Sequence, residues 1–217
     1  MKFDIITIFP KIFDSYFGEG ILARARKKEL IEIKTHDLRQ WTIDNHKSVD
    51  DKPYGGGPGM VMMVEPIYKA VKKLKSQSSK LKTRVILFSA KGKRFTQADA
   101  RRLAKYGRII MICGRYEGVD ERVAEYIVDE EVSLGNFVLT GGEIPAMILV
   151  DAISRLLPGV LGKEESLKEE SHGEENYLEH AQYTRPENFK GWQVPAVLLS
   201  GNHQKIKEWK KENQKIE

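Results

Sequence analysis

Three glycine-bearing loops hold the residues best placed to do chemistry. They are Gly114-Arg115-Tyr116-Glu117-Gly118, Ser133-Leu134-Gly135-Asn136-Phe137 and Thr140-Gly141-Gly142-Glu143. Each follows an apolar run, and all three fall within about 30 residues. Glycine lets backbone N–H and C=O groups come close to a ligand. An adenine can be held by such groups, with aliphatic side chains on its faces. Glu117 can hold a ligand ammonium through a charge-assisted hydrogen bond. Other chemistries fall away. The chain has no G-x-x-x-x-G-K-[ST] phosphate loop and no G-x-S-x-G nucleophile elbow. The five histidines (36, 46, 172, 180, 203) lack metal-ligand spacing, so no metal is expected. Gly18-Glu19-Gly20-Ile21-Leu22-Ala23 fits a loose dinucleotide fingerprint, but it follows a predicted helix rather than a strand and is discounted. The single cysteine, Cys113, sits in the apolar run Ile109–Cys113 and reads as a packing thiol.

The elements that must position these loops alternate. Phe3–Ile8, Ile31–His36, Arg84–Ser89, Ile109–Cys113 and Ile127–Val132 read as strands, several almost continuously apolar, as in strands buried on both faces. Helices are expected from Pro10, over Gly20–Glu29, from Pro66 to about Lys75, and over Val119–Tyr126. Another starts from Thr96, where Thr96-Gln97-Ala98-Asp99 makes an N-cap with an acid at N3, and ends near Gly107 as a left-handed cap. Pro145 opens a strongly apolar helix that stops at Pro158-Gly159. Residues 40–59 form a long loop ending in Tyr54-Gly55-Gly56-Gly57-Pro58-Gly59. This alternation argues an α/β fold with a mainly parallel sheet. In such sheets ligands bind outside the carboxyl ends of the strands.

The 217 residues suit one large domain with a small appendage, and 41% hydrophobic with 31% charged residues describes a soluble globular chain. No run of about 18–20 apolar residues could cross a bilayer, so no membrane partner is expected. The N-terminus is a poor signal peptide and a good first strand; with one cysteine, a reducing cytoplasm fits. The net charge of +5 invites a polyanion. The excess lies in residues 1–159, net +7, against −2 for residues 160–217. Six glutamates between Glu164 and Glu175 mark a polar linker. The expected organisation is a ligand-binding domain over 1–159, a flexible linker over 160–183 and a small helical domain over 184–217.

Five long motifs carry a resemblance. Tyr54–Met60, Cys113–Arg122 (CGRYEGVDER), Leu139–Glu143 (LTGGE), Ser154–Gly162 (SRLLPGVLG) and Tyr183–Pro186 (YTRP) occur in this order along nearly the whole chain. Together they resemble the bacterial tRNA (guanine-N1)-methyltransferases of the SPOUT superfamily, which modify position 37 beside the anticodon. The resemblance implies an α/β fold with a trefoil-knotted, mainly parallel sheet, flanking helices and a small C-terminal helical domain. It implies a homodimer with active sites at the subunit interface, and S-adenosylmethionine as methyl donor. By motif match the cofactor contacts would be Ser89, Gly114, Tyr116, Glu117, Ser133, Leu134, Gly135, Asn136, Phe137, Val138, Leu139, Gly141 and Gly142. Arg155 would sit beside the target guanine, and Glu170 falls where the family has its general base. The C-terminal domain would bind tRNA, with Arg185, Lys205, Lys207 and Lys210 as its expected contacts. The chain departs from the family pattern in having Glu170 for the usual aspartate and Ala90 for the usual proline. Basic charge alone would equally fit a non-catalytic RNA-binding protein, although that would not need three ligand loops. A related knotted methyltransferase acting elsewhere on RNA would share the loops but not the Arg155/Glu170 pair.

Overall fold

The computed structural model describes residues 1–77, 80–162, 171–172 and 177–216. The strands are β1 (Lys2–Thr7), β2 (Glu32–Asp37), β3 (Asp50–Asp51), β4 (Val61–Met62), β5 (Thr83–Arg94), β6 (Arg108–Ile112), β7 (Glu130–Ser133), β8 (Tyr177–Leu178), β9 (Asn188–Phe189), β10 (Trp192–Gln193) and β11 (Lys215–Ile216). The helices are α1 (Asp14–Phe17), α2 (Gly20–Lys27), α3 (Val64–Ser76), α4 (Gln97–Leu103), α5 (Glu121–Tyr126), α6 (Glu143–Ser154), α7 (Ala196–Leu199) and α8 (His203–Glu212). The chain divides into two compact units, Met1–Gly162 and Lys163–Glu217.

The first unit is a parallel sheet in the order β2-β1-β6-β5-β7. Strand alternation sorts its side chains onto two faces. Phe3, Ile5, Ile86, Ile109, Met111 and Cys113 pack on one side with Ala146, Leu149, Val150 and Ile153 of α6. Ile6, Val85, Leu87, Ile110 and Ile112 pack on the other with Ile67, Ala70, Val71 and Leu74 of α3. Both faces are covered, which is why Ile109–Ile112 of β6 reads as an unbroken apolar run, and every residue of the strand, Arg108 included, is buried.

Local signals place most elements. Thr96 caps α4 with a reciprocal capping box, its hydroxyl accepting from Asp99 N–H while the Asp99 carboxylate accepts from Thr96 N–H. Pro66 and Pro145 lie in the first turns of α3 and α6, where a missing N–H costs nothing. Two expectations change. Gly107 is not a left-handed cap: α4 stops at Leu103, and Gly107 N–H instead donates to Lys82 O at the foot of β5. Strand β5 runs past Ser89 to Arg94. Phe88 and Lys93 both register with Val132, so residues 89–92 bulge before β5 rejoins β7. A Cβ on Gly92 would lie 2.6 Å from the backbone nitrogen of Val132, so the crossing admits only glycine.

In the second unit β8 pairs antiparallel with β11, and β9 with β10. Asn202 caps α8 by accepting from Gln204 and Lys205 N–H. The Trp209 ring meets His180 and Tyr183 edge-on at 6.1 and 6.3 Å, and His180 is buried. Residues 177–183, expected in the linker, thus supply a strand and two ring contacts to α8.

Candidate active site

The three loops converge outside the carboxyl ends of β5, β6 and β7. They line a cavity of about 500 Å³, within the range of small-molecule sites. Of the expected cofactor contacts, Ser89, Gly114, Tyr116, Glu117, Ser133, Leu134, Phe137, Val138, Leu139, Gly141 and Gly142 line it. Gly135 and Asn136 do not: Gly135 lies under the Phe137 ring, where a Cβ would be 2.8 Å from a ring carbon, and Asn136 is exposed.

Backbone closeness builds the floor. Gly142 N–H donates to Gly114 O at 3.0 Å, and a Cβ on Gly142 would lie 2.6 Å from Cys113 Cα. No side chain fits there. Tyr116 adopts φ +60, rare for a residue with a Cβ and a mark of an over-determined functional loop. Burial raises its phenol pKa, and a hydrogen bond to the Asp50 carboxylate raises it further.

Sequence reasoning missed the support beneath the loops. Glu143 is 1% exposed and accepts from the Thr7 hydroxyl at 2.8 Å and from Arg115 Nε at 2.9 Å. Arg115 also donates to Thr140 O at 3.0 Å and lies over the Phe9 ring. The pair therefore ties the first and third loops together. Arg115 and Glu143 stood in the quoted motifs, but Thr7 lies 136 residues from Glu143, beyond any local pattern. Leu87, Lys91, Val119, Glu131 and Pro145 also line the cavity. Glu131 Oε1 is buried without a hydrogen-bond partner among the described residues. Cys113 is fully buried, and burial, with Glu143 nearby, pushes its thiol well up, which suits packing and not nucleophilic attack.

This set of groups suits a cationic adenosyl compound. The carboxylates of Glu117 and Glu131 match positive charge, and Leu134, Val138, Leu139 and Pro145 offer aliphatic walls to a flat ring.

Arg155 is half-buried and stands at the C-terminal end of α6, whereas Gly142 caps the other end. The 12-residue helix puts about 18 Å between them. Arg155 does not line the cavity of its own chain. Glu170 lies outside the described residues. In the second unit Arg185, Lys205 and Lys207 are exposed and Lys210 is half-buried. No helix among the described residues is long and apolar enough to cross a membrane.

The tRNA (Guanine-1)-methyltransferase TrmD family model matches residues 1–217. A tRNA (guanine-N(1)-)-methyltransferase of Geotalea uraniireducens is 54% identical over 97% of this chain and 84% of its own. One from Clostridioides difficile is 49% identical over 98% of this chain and 91% of its own. The crystal structure of tRNA (m1G37) methyltransferase from Aquifex aeolicus superposes with a TM-score of 0.80 at 43% identity, covering 97% of this chain and 87% of that one.

Proposed function

The chain belongs to the tRNA (guanine-1)-methyltransferase family, and from that premise we propose that it methylates N1 of guanosine 37 of tRNA, using S-adenosylmethionine. The observation that carries the reading is the cavity outside β5, β6 and β7, floored by Gly114 and Gly142 and walled by carboxylates and aliphatic groups. The donor supplies an electrophilic methyl group on a sulfonium. Guanine N1 is protonated when neutral and is a poor nucleophile. Glu170 takes that proton as the N1–CH₃ bond forms and the S–CH₃ bond breaks. The Arg155 guanidinium stabilises the negative charge that develops towards O6. Glu117 holds the donor ammonium. No covalent enzyme intermediate is needed, which fits a buried, protonated Cys113.

The reading makes the enzyme a homodimer. About 18 Å of helix separate Arg155 from the glycine floor of its own chain, so Arg155 serves the cavity of a second copy. Ile144 and Ile148, both exposed on α6, offer that copy an apolar contact. The family's knotted path belongs to the same reading, supported by Gly92 lying against the β7 backbone. The remaining parts are a tRNA-binding C-terminal region using Arg185, Lys205, Lys207 and Lys210, a linker before it, and a cytoplasmic location beside the substrate.

The test is product mapping. The protein is incubated with methyl-labelled donor and total tRNA, and the modified nucleotide is located by digestion. Label in 1-methylguanosine at position 37 is the expected result. Label at another base or on ribose would sink the reading.

A further inference from the structure

The hairpin β3–β4 is not explained by the cofactor cavity. Its strands pair Asp50 with Met62 and Asp51 with Val61, closing a loop over residues 52–60. The base of that loop is fixed to the cavity rim. Glu117 N–H donates to Met60 O at 3.0 Å, Met62 N–H to Gly118 O at 2.9 Å, and Asp120 N–H to Met62 O at 3.0 Å. The Asp50 carboxylate takes the Tyr116 hydroxyl. A Cβ on Gly59 would lie 2.7 Å from Glu117 Cδ, so the loop lies tightly against the side chain of a residue that lines the cavity.

The tip is a tight turn. Gly56 N–H donates to Pro53 O at 3.2 Å, and Gly55, third of the four residues, has φ +88. A glycine with positive φ at that place is the type II pattern, which sets the second residue at the corner. The second residue is Tyr54, and it is 100% exposed. The ring has no part in any core, yet its backbone is held by a turn standing on the cavity rim. Lys52 is exposed two residues away, and Arg122, paired bidentately with Asp120, lies within electrostatic range of the Tyr54 hydroxyl.

An enzyme that does chemistry on a base in a nucleic acid draws that base out of the stack into its pocket, and the neighbouring bases lose a stacking partner. Proteins that read single-stranded RNA meet such bases with aromatic rings. We propose that Tyr54 is a stacking platform for a base flanking the target guanosine, holding the anticodon loop in register over the cavity. The assignment rests on the tRNA-methylation reading and adds a recognition contact to it.

The test uses the full chain with Tyr54→Ala and Tyr54→Trp. Three quantities are measured: KM for unmodified tRNA, affinity for S-adenosylmethionine, and sedimentation. In parallel, anticodon stem-loops carrying 2-aminopurine on either side of the target guanosine report stacking by quenching. Tyr54→Ala should raise KM for tRNA about ten-fold or more, the scale of one lost base stack, and abolish quenching at one flanking position. Cofactor affinity and sedimentation should stay unchanged, and Tyr54→Trp should restore both KM and quenching. Wild-type KM and quenching in Tyr54→Ala overturn the proposal. So does a loss accompanied by dissociation of the protein or by lost cofactor binding. Quenching is read without methyl transfer, so it answers for Tyr54 even if product mapping placed the methyl group elsewhere.

Discussion

The two ends of the parallel sheet are built on opposite principles. At the carboxyl ends, glycines bring backbone to backbone, a tyrosine is held left-handed, and a carboxylate oxygen of Glu131 has no hydrogen-bond partner among the described residues beside an open cavity. At the amino ends, charge is buried and paired. Arg108, 3% exposed, donates from Nε to Asp4 at 2.7 Å and from a terminal nitrogen to Leu74 O near the end of α3. His36 Nε2 meets the other Asp4 oxygen at 2.7 Å. Burial by itself would raise the Asp4 carboxyl, but hydrogen bonds from His36 and Arg108 outweigh it and hold the group below its ordinary range. The amino end locks three strands and a helix together. The carboxyl end leaves polar groups ready for a ligand, as a site of preorganised chemistry requires.

The largest expected effect falls on the lock. Arg108→Met leaves Asp4 buried without its guanidinium partner and should cost about 3–5 kcal/mol of stability in urea unfolding. A loss below about 1 kcal/mol, the scale of a surface ion pair, would show that the amino end is no lock. The next effect is on rate. Glu170→Gln should slow single-turnover methyl transfer by about 10²-fold, the scale of general-base catalysis, with cofactor affinity nearly unchanged. Glu169→Gln is the control and should be mild; if it is the dead variant, the base is Glu169. Activity in both variants would end the carboxylate-base mechanism.

The glycine floor should respond in binding and hardly in folding. A Cβ on Gly141 would lie 2.6 Å from Glu143 Oε2 and also press on the Arg115 side chain, both able to shift only by disturbing the loops they tie. Gly141→Val should weaken S-adenosylmethionine binding by about ten-fold, or 1.4 kcal/mol, while its circular dichroism spectrum stays near wild type. A variant that unfolds instead, with the Arg108→Met protein stable, would invert the comparison. The smallest effect is in acid. Burial would raise the carboxyls of Asp4, Asp99 and Glu130, but hydrogen bonds from Arg, Lys and His partners, and for Asp99 first from Thr96, outweigh it and leave their folded pKa values below their unfolded ones. Their contribution is therefore full at neutral pH and is lost as pH falls through roughly 4 and below. Stability against pH should decline there, and Arg108→Met should flatten the decline. An unchanged slope in that variant would show that Asp4 carries none of it.

Much of the carboxyl end could be read in advance, because its signals are local. A glycine after an apolar run marks a strand end, and Thr96 with Asp99 marks a helix start. The same local reading misjudged Gly107, where the chain turns directly into β6 with its N–H on Lys82, and it stopped β5 at Ser89 because Lys91, Gly92, Lys93 and Arg94 hide the return to β7. The amino-end lock was invisible. Asp4 and Arg108 are separated by 104 residues, and each by itself looks like an ordinary surface charge beside a strand.

The sequence by itself determined the alternation of strands and helices, the doubly buried strands, the glycine loops and the family motifs in their order. These follow from periodicity, turn chemistry and residue type, which act over a few neighbours. Only the tertiary structure decided the order β2-β1-β6-β5-β7, the partners of Glu143 and Arg108, the distance of Arg155 from its own cavity, and the seating of the Tyr54 turn on Glu117. Hydrophobic periodicity tells which face of an element is buried but not against what. Those choices depend on packing and charge pairing between segments far apart in the chain.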